Sequence, residues 1–199
     1  MSVLVLASSS AARQKMLKDA GVDFRVSAAD IDEAGLMADL INGGHDAAAI
    51  AGALAEQKAL AVSRRLPGEL VLGGDQILAL GPEILGKSRD LAALRALLLR
   101  LKGASHKLFS AAALARDGKT LWRHTDTVTL TMRDFSDAFL DNYLAAEGEA
   151  VLSSVGGYHY EERGAQLFER VDGDYLTILG LPLLPVLAAL RAQGLMPKD

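Results

Sequence analysis

The chain has 199 residues, half of them hydrophobic, no cysteine and a net charge of −4. That length allows one domain or two small lobes sharing a core, and the lack of cysteine excludes disulfides, cysteine–zinc sites and thiol nucleophiles. A mildly acidic chain is a poor non-specific binder of nucleic acid, although a small anionic ligand reads only the local field.

Apolar strand-like runs alternate with alanine- and leucine-rich helical runs, the pattern of an α/β domain. Residues 3–7 read as a buried strand, and nothing there has the cationic and apolar regions of a signal peptide. Ser10 is placed to cap a helix over 11–20, with Gly21 at its stop, and 24–27 read as a short strand. Asp46 caps a long helix running to about Arg65, where apolar residues recur every three to four positions. Residues 70–73 and 77–80 read as two strand pieces broken at Gly73-Gly74. Ser88 or Asp90 starts a helix over 91–101 that Gly103 ends. Residues 106–115 and 120–132 read as a long hairpin turning at Asp117-Gly118, with Val128, Leu130 and Met132 on one face. Ser136 caps a helix to about Ala146. Residues 167–171 and 175–179 read as strands on either side of Asp172-Gly173, and Pro182 opens a last helix ending near Gly194. The longest uncharged stretch, 175–190, is interrupted by Pro182 and Pro185 and falls short of the roughly 18 apolar residues of a membrane span. The expectation is a cytoplasmic protein, in keeping with a reducing compartment where cysteine is dispensable.

The densest chemistry lies in residues 73–88. Asp75 sits between Gly73-Gly74 and Gln76-Ile77-Leu78. An unpaired carboxylate in a buried β element is expensive, so an acid there has a partner or a job. Lys87 follows Ile84-Leu85-Gly86. A phosphate-ester enzyme needs that pairing, an acid to hold metal or activate water and a cation for phosphate charge. The same stretch, Gly81 to Ser88, also satisfies the phosphate-loop pattern G-x-x-x-x-G-K-[ST]. Against the phosphate-loop reading, Pro82 has no N–H to offer an anion, and Ile84 and Leu85 are bulky for a loop that must hug one. No convincing apolar run ending in a metal-binding aspartate follows; residues 130–134 are a poor substitute.

Other candidates are weaker one by one. Ser8-Ser9-Ser10 and Arg13, at a strand-to-helix junction, offer free N–H groups, hydroxyls and a guanidinium to an anion; more plainly, they are a serine-rich cap and a solvated arginine. Asp30-Ile31-Asp32-Glu33 offers carboxylates to a metal or is an acidic loop. Lys58, among Ala55, Ala59 and Leu60, is an ordinary surface lysine by spacing alone. In Val155-Gly156-Gly157-Tyr158-His159-Tyr160-Glu161-Glu162 the paired glycines permit close approach of a ligand, with Tyr158 and Glu161 available to read a base; otherwise it is a turn with exposed acids. His45, His106, His124 and His159 form no pair at i, i+4 spacing, so no transition-metal site is assigned.

Taken in order, the motifs Leu6-Ala7-Ser8-Ser9-Ser10-x-x-Arg13, Asp32-Glu33, Glu56-Gln57-Lys58-Ala59, Gly74-Asp75-Gln76, Ile84-Leu85-Gly86-Lys87, Gly156-Gly157-Tyr158 and Gly180-Leu181-Pro182-Leu183 resemble the Maf family of nucleoside triphosphate pyrophosphatases, over about residues 3–192. The resemblance implies hydrolysis between the α and β phosphates of a nucleotide, giving a nucleoside monophosphate and pyrophosphate. It implies a single Maf-like domain over residues 1–199, of mixed α/β, Maf/ITPase-like fold: an elongated mixed β-sheet flanked by helices, with two lobes around a deep nucleotide-binding cleft. Asp75 becomes the general base or metal-associated catalytic acid, and Glu33 helps it hold a divalent metal, Mg2+ or Mn2+. Ser8, Ser10, Arg13, Lys58 and Lys87 become the triphosphate-binding groups. Gln76 and Glu161 resemble the branch acting on 7-methyl-GTP more than the dTTP/UTP branch, since a carboxylate at 161 suits a methylated, positively charged guanine. The implied partner is the nucleotide, with no nucleic acid and no membrane; a homodimer is compatible with the resemblance.

The chain departs from the family pattern twice. Ala11-Ala12 stand where the first motif carries Pro and its first Arg, and Ser88 where the lysine motif continues with Pro; Arg13 and Lys87 both remain. Two rival classes stand beside this one: a phosphate-loop NTPase releasing the γ phosphate, and a non-enzymatic nucleotide-binding regulator, the family being linked to arrest of cell division.

Overall fold

A computed structural model of the chain describes residues 3–197. The elements run β1 (Leu4–Leu6), α1 (Ala11–Asp19), β2 (Phe24–Val26), α2 (Glu33–Asn42), α3 (Ala47–Arg65), β3 (Val71–Leu80), β4 (Glu83–Leu85), α4 (Leu91–Leu101), β5 (Ser105–Arg116), β6 (Lys119–Met132), α5 (Asp137–Glu147), β7 (Phe168–Asp172), α6 (Tyr175–Ile178) and α7 (Leu183–Ala192). The strands form one mixed seven-stranded sheet in the order β2-β1-β3-β5-β6-β7, with β4 added to β3. β1 runs parallel to both β2 and β3, whereas β4 on β3 and β7 on β6 are antiparallel. The expected mixed α/β architecture of a sheet flanked by helices is what the chain forms. Among the described residues no helix is long and apolar enough to cross a membrane.

Local chemistry explains most boundaries. Ser10, Asp46, Asp90 and Ser136 each accept a hydrogen bond from the N–H three residues on, starting α1, α3, α4 and α5 as the cap rule expects. Asp32 does the same for α2, so the supposed acidic loop is a helix start. Asp117 and Gly118 both take positive φ, 52° and 71°, the backbone that a two-residue hairpin demands.

Two sequence expectations are corrected, and the phosphate-loop alternative that the sequence already argued against is set aside. First, β3 is continuous rather than broken at Gly73-Gly74. A Cβ on Gly73 would collide with the Ala55 carbonyl and the Ala59 N–H of α3, and one on Gly74 would press on the Arg13 side chain. The pair therefore marks close approach on both faces of a strand, not an interruption. Second, residues 81–88 are no phosphate loop: Gly81-Pro82 is a tight turn, and Glu83–Leu85 pairs back on Leu78–Leu80. Third, the stretch read as a strand at 175–179 is instead the short helix α6, closed by the Gly180 N–H on the Thr177 carbonyl. A short apolar run reads alike in both conformations, and periodicity does not separate them.

The chain divides into two compact units, 1–76 with 109–126 and 175–199, and 77–108 with 127–174. In the first, Leu4, Leu6, Leu70 and Leu72 pack with Met16 and Leu17 of α1 and Val186 and Leu190 of α7. Strand alternation then turns Gly73 and Asp75 to the other face, where α3 lies. In the second, Leu78, Leu94, Leu98, Val128, Leu130, Leu140 and Phe168 are buried. Gly157, at φ +68°, leaves no room for a Cβ beside Leu94 of α4.

Candidate active site

The first unit gathers seven of the sequence-predicted residues around the glycine pair of β3. Lys58 projects from α3, which faces Asp75, and its ammonium lies 2.7 Å from both Asp75 Oδ1 and Glu33 Oε2. Lys58 and Asp75 are buried, at 8% and 7% exposure, while the Glu33 side chain is half exposed. Lys58 is thus no surface lysine. Glu33 reaches it because Asp32 caps α2 and sets the first residue of that helix.

Arg13 comes from α1 on the opposite face of β3. It too is buried: Nε donates to the Gly180 carbonyl at 2.8 Å and Nη1 to Ser8 Oγ at 3.1 Å. Ser8 also accepts from the Ser10 N–H, and Ser10 Oγ accepts from the Arg13 N–H, so the serine run is at once a cap and a brace for the guanidinium. Burial pulls the Arg13 pKa below its ordinary value, opposed by the negative charges of Asp75 and Glu33. The reading of Arg13 as a solvated residue is set aside. Two cations and two carboxylates leave this group formally neutral.

Gln76 faces away from Asp75, as strand alternation requires. Its amide donates to Ser110 Oγ at 2.8 Å and to the Thr177 and Ile178 carbonyls at 3.1 and 3.0 Å. Ser110 spends its own proton on the Thr177 carbonyl, so all three partners accept and the amide orientation is settled, leaving Oε1 to offer a ligand. Sequence reasoning gave no role to Ser110, Thr177 or the Gly180 carbonyl. A lone serine inside the apolar run of β5 was the one visible signal.

Lys87 and Glu161 belong to the second unit, both exposed and without a hydrogen bond or ion pair among the described residues. Tyr158, expected to read a base, is buried at 4% exposure; its Oη shares a 2.7 Å hydrogen bond with His106 Nε2. Burial drives the His106 pKa down to about 4 and the Tyr158 phenol well above its ordinary value. Both are therefore neutral, and Tyr158 shapes the turn rather than meeting a ligand.

The carboxylates of Glu33 and Asp75 converge on a single cation, the Lys58 ammonium. A pair of hard oxygen donors around one positive centre is also the donor set that Mg2+ or Mn2+ accepts, with water and phosphate oxygens completing the shell.

A family model described as Maf-like protein matches residues 3–193. A 7-methyl-GTP pyrophosphatase of Brucella abortus biovar 1 (strain 9-941) is 50% identical over 190 residues, 96% of each chain. Another of that name from Mesorhizobium japonicum is 49% identical over 191 residues, again 96% of each chain. A nucleoside triphosphate pyrophosphatase of Rhodopseudomonas palustris (strain BisB18) is 50% identical over 193 residues, 97% of this chain and 95% of that one. With a family match across nearly every residue, and relatives this similar over nearly their whole lengths, the chain belongs to the Maf-like protein family.

Proposed function

We propose that the protein is a nucleoside triphosphate pyrophosphatase that cuts the α–β phosphoanhydride, releasing a nucleoside monophosphate and pyrophosphate. The observation that carries this reading is the buried carboxylate of Asp75, held against Lys58, which also meets Glu33, beside a braced arginine. Buried charge of that kind is costly and concentrates where chemistry needs it. The names of the relatives support the same activity.

Asp75 orients a water, and takes its proton, for in-line attack on phosphorus as pyrophosphate departs. Lys58 and Arg13 meet the developing negative charge on the phosphate oxygens, and Lys87 supplies a further cation. Glu33 and Asp75 hold the divalent metal, Mg2+ or Mn2+, which when bound offsets phosphate charge. Their arrangement around one cation supports that assignment. Because the resting cluster is neutral, a strongly anionic triphosphate has reason to arrive with its metal.

For the base, the preferred substrate is 7-methyl-GTP, as the relatives' names suggest. Gln76 Oε1 accepts from a guanine N–H donor, and the Glu161 carboxylate meets the positive charge of the methylated ring. Glu161→Gln should lower the preference for 7-methyl-GTP over GTP; an unchanged ratio removes this role.

The experiment is phosphorus NMR of the products from 7-methyl-GTP, GTP, UTP and dTTP in the presence of magnesium. Monophosphate with pyrophosphate is expected, fastest from 7-methyl-GTP. Faster UTP or dTTP would assign the other branch, and diphosphate with orthophosphate would overturn the reading.

A further inference from the structure

The second unit holds a group of side chains that the reaction above does not use. The ligating atoms of Glu147, His159 and Glu162 all lie within 4.8 Å of one another. Histidine spacing in the sequence gave no hint of it, because both partners of His159 are glutamates, one of them on a separate helix.

The imidazole is oriented from behind. The Ser153 hydroxyl donates its proton to the Ala150 carbonyl at 2.8 Å, so toward His159 Nε2, 3.3 Å away, it can only accept. His159 therefore carries its proton on Nε2, and Nδ1 faces Glu162 Oε2 at 3.8 Å. That separation is too long for a hydrogen bond. It suits two metal–ligand bonds of about 2.0–2.2 Å each, meeting at an angle. A histidine fixed through its second nitrogen is the usual outer-shell device of a metal site.

Glu147 supplies the independent observation. Its side chain is only 8% exposed, yet it makes no hydrogen bond among the described residues; its charge partner is Arg163, 3.8 Å away on a side chain that is 65% exposed. It is also the last residue of α5, whose final turn carries no basic residue, so the negative end of the helix dipole adds to its own charge. A largely enclosed carboxylate whose counterion is an exposed arginine, a second carboxylate and an imidazole held by its far nitrogen converge within bonding reach of one ion.

We propose that Glu147, His159 and Glu162 bind a first-row divalent metal ion, with water on its remaining positions. One imidazole and two carboxylates suit Zn2+ and Mn2+ alike. The ion ties the end of α5 to the turn at 159–162, which carries Glu161. This site is separate from the Glu33–Asp75 pair, which contains no histidine.

That difference gives the test. Chelator-treated protein is titrated with Co2+ and followed by proton NMR, together with equilibrium dialysis. A Co2+ ion on His159 Nδ1 should produce one strongly shifted, exchangeable ring N–H signal from Nε2. The signal should persist in Asp75→Asn and vanish in His159→Gln. It should weaken at least about tenfold in Co2+ affinity in Ser153→Ala, the range for loss of an outer-shell partner. Glu162→Gln, at an exposed position that the fold does not need, should also abolish it. No shifted ring signal in the wild type, or one that survives both His159→Gln and Glu162→Gln, overturns the proposal.

Discussion

The two units treat buried polarity in opposite ways. The first keeps ionisable groups inside: Arg13, Lys58 and Asp75 are each under 10% exposed, with opposite charges beside them. The second holds a neutral pair in its core: His106 is 1% exposed against Tyr158 and Phe168, and desolvation alone pushes its pKa down to about 4. Where a countercharge is built in, burial raises the stakes of a charge; where none is, burial removes the charge. In the first unit the buried ions gather where a strand with two adjacent glycines lets α3 and Arg13 press on it from either face. That is a costly arrangement, and its location is the best structural argument that it serves a reaction.

The comparison breaks most completely at Asp75. Asp75→Asn should lower kcat by about 10²–10⁴, the range for loss of a general base, while leaving nucleotide binding nearly intact. A protein that only binds nucleotide would lose little, and a phosphate-loop enzyme would instead fail on changes at Gly81 or Ser88. Next comes Lys58→Ala, which leaves the buried Asp75 carboxylate without its nearest countercharge. Its unfolding free energy should fall by about 3–5 kcal/mol, measured by urea titration at pH 7.

In the second unit, the buried imidazole should make stability depend on pH. His106 takes up a proton near pH 6.5 when unfolded but only near 4 when folded, so the unfolded chain binds the extra proton between those values. The contribution is fully present above about pH 6.5 and lost as pH falls toward about 4, by about 3 kcal/mol in all. His106→Phe should flatten that part of the stability–pH curve; an unaltered slope would show the ring is not the group responsible. The smallest effect belongs to Lys87, exposed and unpaired among the described residues. Lys87→Ala should change stability by less than about 0.5 kcal/mol, yet raise KM for the triphosphate. A fall in stability without a change in KM would make it a structural lysine.

What the sequence determined by itself is local and ordered. Ser10, Asp46 and Ser136 could be read as caps because a cap acts across three residues, and the hairpin at Asp117-Gly118 because its turn needs two residues at positive φ. The family could be read because its motifs fall in one order along the chain. Tertiary structure alone decided that Lys58 is buried on Asp75, that Arg13 reaches a carbonyl 167 residues away, that Gly73-Gly74 bears a helix rather than a break, and that Tyr158 is inside. It alone brought Glu147 to His159 and Glu162. The reason is physical. Caps and periods are satisfied by neighbours along the chain, whereas a buried charge is satisfied by whichever helix the strand's face happens to meet.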